Sequence, residues 1–218
     1  MSSWSIGSGI EDLAAAATRP GTAFADRRPV VSSVMTAFLL FCVLLGLLLF
    51  AVSWVNPPDL RLVEGAGGES SVVVSGSIFR GPTPAARLWF PVYWLGYIAF
   101  VTFWRTLAML ILGAERQRWT GVLLASLLAA GPAVLIAAFQ GMLNQAFPLD
   151  ASSTPIWMVA FRVVLSLLLL GLAVIYEAVL WTRLSKSLLE FGGTRALIAW
   201  FVSAGLGACM LVFIFLFF

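Results

Sequence analysis

LWFPVYWLGYIAFVTFWRTLAMLILGAERQRWTGVLLASLLAAGPAVLIAAFQGM, residues 88–142, decides the fold. It consists of two apolar runs joined by a charged turn, Gly113-Ala-Glu-Arg-Gln-Arg118. Each run holds about 24 residues, enough at about 1.5 Å per residue to cross a hydrocarbon core of roughly 30 Å. So short a turn sets the two runs side by side and antiparallel. The first run also contains Arg105, a charge that lipid does not tolerate on an exposed helix face.

Composition extends this reading to the whole chain. Of 218 residues, 61% are hydrophobic and only 11% are charged, against about 45–50% and about 25% in a soluble domain. No interior of this size hides that excess, so lipid is the expected solvent. The net charge of +3 comes from scattered basic residues, with no basic stripe to follow phosphates, which excludes nucleic acid as a partner. Histidine is absent, so the chain's own side chains build no His-ligated metal or haem site. Cys42 and Cys209 lie within apolar runs and read as small buried hydrophobes. No cofactor is ligated by side chains, although grooves on such a surface leave room for lipids or pigments. No cleavable signal peptide is evident.

In chain order, residues 1–29 form a cytoplasmic N-terminal segment. Ser8 caps a short helix with Glu11 and Asp12 in its first turn. That helix is expected to lie at the membrane interface, ahead of the basic Arg27-Arg28. Residues 30–218 form a five-helix transmembrane domain, with spans at about 31–54, 88–112, 119–143, 156–181 and 195–218. The outer loop 56–87 holds Leu60-Arg-Leu-Val-Glu64 and Val72-Val-Val-Ser-Gly-Ser-Ile78 around Gly65-Ala-Gly-Gly68, a pattern that predicts a small extracytoplasmic β-hairpin. Pro132 falls inside the third span and predicts a helix kink. Gly205, Gly207 and Ala208 are small residues that suit close helix packing in the fifth. Arg19, Arg27, Arg28, Arg116, Arg118, Arg183, Lys186 and Arg195 fall on one side, and only Arg61, Arg80 and Arg87 on the other. Eight against three puts the N-terminus in the cytoplasm and the C-terminus outside; a bacterial inner membrane is the expected location.

Three ionisable residues interrupt the spans: Arg105, Arg162 and Glu177. At about 2.5–3.5 kcal/mol each at the bilayer centre, they should face protein or water. Arg105 lies about 12 Å, and Glu177 about 6 Å, from the cytoplasmic ends of their spans, a gap that a long side chain bridges. The expectation is an Arg105–Glu177 pair between spans two and four. Arg162 shares its depth with Gln140 and Asn144 and is within reach of Asp150. These groups serve either as interhelical contacts or as an ion pathway. Catalytic signatures are absent: there is no G-x-S-x-G elbow, no phosphate-binding loop and no base to activate a span serine. An enzyme is not expected.

The stretch Leu112-Gly-Ala-Glu-Arg-Gln-Arg-Trp-Thr-Gly-Val-Leu-Leu-Ala-Ser-Leu-Leu-Ala-Ala-Gly-Pro132 resembles bacterial members of the Yip (Ypt-interacting protein) superfamily. Those proteins carry a short glycine-containing turn after the second span and a small residue with proline midway through the third. Ile10 to Phe24 looks like their pre-membrane helix, and Trp181 to Ala196 like their last turn. The acidic-Leu-Tyr-Gly-Pro motif of the eukaryotic branch is absent, and no catalytic residue is carried over. The resemblance implies five spans and a cytoplasmic N-terminus.

The functional expectation is a non-catalytic accessory or scaffold subunit. Its partners would be lipids and other transmembrane subunits, with a photosynthetic or respiratory assembly as one host. The alternatives are a small transporter or channel using Pro132 and the Arg105–Glu177 region, and a Yip-like membrane-shaping or trafficking factor.

Overall fold

A computed structural model describes residues 5–20, 22, 24, 28–55, 60–64, 70–74, 88–113, 119–146 and 155–217. Among the described residues six helices carry the fold: α1 (Ile6–Thr18), α2 (Val31–Val55), α3 (Phe90–Ile111), α4 (Trp119–Ala146), α5 (Ile156–Leu189) and α6 (Gly193–Phe217). α2 to α5 are each long and apolar enough to cross a membrane, which makes this a transmembrane protein. Helices suit that solvent because each satisfies its own backbone hydrogen bonds.

The local chemistry that sets the helix ends departs from the sequence reading in two places. α1 is capped by Ser5 rather than Ser8: the Ser8 N–H donates to Ser5 Oγ at 3.0 Å, and the Ser8 hydroxyl donates back to the Ser5 carbonyl. α5 continues eight residues past Trp181, to Leu189. Thr182 to Leu189 contains no breaker, and Leu184 and Leu189 are buried, so packing holds the extra turns. It stops at Glu190, whose left-handed φ of 56° lets the Phe191 N–H return to the Ser185 carbonyl at 3.2 Å. At the end of α3 the same role falls to Gly113, with φ 78°.

α3, α4, α5 and α6 close into a ring: α3 packs on α4, α4 on α5, α5 on α6, and α6 back on α3. α3 and α5 face each other across its diagonal. α2 lies outside, against α4 and α3, and α1 lies on α2 and α4 with a lighter contact to α5. α4 therefore sits at the centre. Val122, Ala125, Leu128, Ala129, Val134 and Ala138 along it are fully buried, and Pro132 is accommodated within the one helix. The buried face of α1 consists of Gly9, Asp12 and Ala16 and rests on protein; the Tyr176 hydroxyl of α5 donates to its Ala17 carbonyl at 2.8 Å.

The expected fold class, five spans with an outer β-hairpin, is corrected at the hairpin. Four helices meet the requirement for spanning. The last helix runs Gly193–Phe217, and its side chains are described over Gly193–Leu206, an apolar stretch. The packed body of the fold is helical. Leu60–Glu64 and Ser70–Val74 run as a short antiparallel ladder, with Leu60 opposite Val74. Among the described residues no helix packs substantially against that ladder. Two strands without a partner layer are marginal, so the hairpin has no support as an element that shapes the fold.

Candidate functional site: a buried ionic centre

Inside the ring, α3 contributes Tyr97 and Arg105, which lie two helical turns apart and so on neighbouring faces. α5 contributes Glu177 and Trp181 at i, i+4, one above the other. Their long side chains cross the diagonal. Arg105 NH2 donates to Glu177 Oε1 at 2.5 Å, and the Tyr97 hydroxyl donates to Glu177 Oε2 at 2.8 Å. Arg105 NH1 reaches Ser126 Oγ of α4 at 3.3 Å. The guanidinium carbon lies 4.5 Å from the ring centroid of Trp181, whose indole N–H donates to the Ala196 carbonyl of α6 at 3.0 Å. All four helices of the ring thus contribute an atom to one cluster.

The cluster is closed. The side chains of Arg105 and Glu177 are 1% and 6% exposed. Charge is neutralised pairwise and both carboxylate oxygens are satisfied. A desolvated guanidinium over an indole face gains about 2 kcal/mol. The cation still loses something: Arg105 Nε is buried with no hydrogen-bond partner among the described residues, as are Thr102 Oγ1, Trp104 Nε1 and Ser185 Oγ. Chemically the arrangement clamps helices together. It offers no exposed base or nucleophile, and among the described residues no three His, Cys, Asp or Glu side chains gather in a metal-binding group.

A second, simpler contact ties α5 to α4. Arg162 Nε and NH2 both donate to Asn144 Oδ1, at 3.1 and 2.9 Å. Arg162 lies six residues from the start of α5, so its side chain can extend toward the membrane boundary if released. Asn144→Ala should therefore cost only about 1 kcal/mol, read as a drop of a few degrees in the melting midpoint of detergent-solubilised protein. A loss as large as that at the central pair would mean that Arg162 has no such escape.

The remaining sequence candidates are placed as follows. Gln140 is half-buried on α4 and is not a partner of Arg162; Asp150 lies outside the described residues. Gly207 and Ala208 lie on the α6 backbone, but their surroundings are outside what the structure describes. At Gly205 a Cβ would meet nothing within 4 Å, so that position makes no close helix approach within this chain. Among the described glycines the close approaches occur at Gly9, against the backbone of Ser33, and at Gly121, against the Leu189 side chain. Tyr97, Ser126 and Trp181 were not singled out from sequence. The one available signal was helical spacing, eight residues from Tyr97 to Arg105 and four from Glu177 to Trp181.

Compared with known proteins, the chain matches no family model, no curated sequence and no solved structure.

Proposed function

We propose that this is a non-catalytic membrane protein that works as an accessory or scaffold subunit of a larger membrane assembly. The reading rests on one observation: the charged groups inside the spans are bonded to other side chains of the same chain. Arg105, Glu177 and Tyr97 satisfy each other across the ring, and Arg162 is bonded to Asn144, so these groups line no open passage among the described residues. What the molecule presents outward is apolar. Trp157, Phe161, Leu167, Leu168 and Ile175 project from α5 with more than half their surface free, a face that suits lipid or the helices of a neighbouring subunit. Kinship with the Yip superfamily remains a proposal carried by layout alone.

The proposed location is a bacterial inner membrane, with the N-terminus and the turns after α3 and α5 on the cytoplasmic side. The eight-to-three distribution of Arg and Lys supports that orientation. The test is gentle detergent extraction of the tagged full chain, followed by sizing and mass spectrometry. Stoichiometric co-purification with other membrane subunits is the expected result. Purification as a lone species that conducts ions in liposomes would overturn the proposal in favour of transport.

A further inference from the structure

We infer that the groove between α5 and α6 is a binding site for one anionic glycerophospholipid of the cytoplasmic leaflet. The groove encloses about 500 Å³, within the roughly 300–1,000 Å³ of ligand clefts. Ile175, Val179, Leu197 and Phe201 form its apolar walls, and Thr182 and Arg183 lie at one end. The lining is apolar almost throughout, and the cations border the groove rather than fill it.

The polarity follows from helical spacing. On α5, Ile175, Val179 and Arg183 recur every four residues, and exposed Lys186 follows one turn beyond Arg183. An apolar stripe thus runs into two cations on one face. Neither Arg183 nor Lys186 has an ion-pair partner among the described residues. Both lie in the last turns of α5, on the side assigned to the cytoplasm above. The floor is rigid. α5 and α6 are joined by the Trp181–Ala196 hydrogen bond.

Within a bilayer the apolar walls select little, because lipid tails are as apolar as the leucines they would touch. Discrimination must come from the headgroup. A phosphodiester with no compensating cation suits Arg183 and Lys186; a zwitterionic headgroup brings its own positive charge to the same place. The groove therefore positions an acyl chain, and the two cations choose the lipid.

The test uses the full chain in nanodiscs of equimolar phosphatidylglycerol and phosphatidylcholine, released for native mass spectrometry. At roughly fivefold per basic residue, phosphatidylglycerol should be retained over phosphatidylcholine by roughly twenty-five-fold. Arg183→Ala with Lys186→Ala should abolish that preference, and Arg183→Lys should keep most of it. Val179→Trp, at a partly exposed wall position, should lower retention of both lipids with the cations intact. Equal retention of the two lipids by the unaltered protein, or unchanged preference in the double variant, would overturn the inference. So would protection of Val179 by a protein subunit instead of a lipid in the native membrane. The proposed subunit role does not depend on any of these outcomes, since co-purification is read separately.

Discussion

Glu177→Leu should lose most of the folded, monodisperse protein. The substitution leaves the guanidinium of Arg105, 1% exposed, with Ser126 and the Trp181 face as its remaining contacts. Breaking one half of a buried ion pair costs about 3–5 kcal/mol, a large share of the about 5–15 kcal/mol by which folded proteins are held. Arg105 has no short way out, because it sits inside the ring and six residues from the end of α3. Glu177→Gln should be nearly as damaging, since an amide keeps the shape and leaves the cation uncompensated. The informative variant is the double one, Arg105→Met with Glu177→Leu. Replacing both members by apolar residues of similar size removes the desolvation cost together with the attraction, so stability should return to near that of the unaltered protein. Melting of the four members of this cycle by fluorescence-detected sizing gives the coupling energy directly. Tyr97→Phe, which removes one hydrogen bond and leaves the pair, should cost about 1 kcal/mol. A Glu177→Leu protein as stable as the parent, or a double variant no better than the single, would show that the centre is not what holds the ring.

How much of this was legible beforehand depends on the kind of information each residue carries. Spanning helices are legible because lipid imposes length and composition: Phe38 to Phe50 admits no other reading. The need of Arg105 for a partner was legible from the cost of a bare charge, and depth arithmetic named Glu177. That arithmetic used the wrong helix end. It ends the span at about Trp181, whereas the helix runs on to Leu189 and Trp181 is fully buried and stacks on Arg105. Tyr97 lies among other aromatics near the start of its span, and nothing there marks that its hydroxyl donates to Glu177. A tryptophan or tyrosine looks the same in sequence whether its polar atom meets water or a buried partner. The diagonal placement of α3 and α5 was not legible either, because apolar runs carry little information on which faces meet. The valine-rich loop alternates as a hairpin does, but pattern alone could not say that no helix would support it.

Small residues show the same limit, and at one of them it can be tested. Gly205 and Gly9 are indistinguishable as glycines within helices, yet one faces open space. At the other, a Cβ would lie 2.1 Å from the Ser33 carbonyl oxygen, 2.6 Å from its carbon and 2.9 Å from Ala37 Cβ. The two nearest obstacles are backbone, so no rotamer change relieves them. In an ordinary helix Gly→Ala is stabilising by roughly 0.5–1 kcal/mol. At Gly9 the sign should reverse: the contact is overfilled, at a cost of about 1–3 kcal/mol or more, and α1 must move off α2. The Ser5–Ser33 hydrogen bond and the Tyr176–Ala17 hydrogen bond go with it. Thirteen residues are too few for a stable isolated helix, so undocking means melting. Gly9→Ala should therefore raise hydrogen–deuterium exchange across Ile6–Thr18 by at least roughly tenfold, one tenfold per about 1.4 kcal/mol, with α4 unchanged. Gly7→Ala is the matched control, because the nearest atom to its Cβ would be Ser5 Oγ at 4.0 Å; there α1 should exchange as slowly as in the parent or more slowly. If the two variants protect α1 equally, the Gly9–Ser33 contact is not what docks it, and the hold on the N-terminal helix must come from Ala16, Asp12 and the Tyr176 hydroxyl instead.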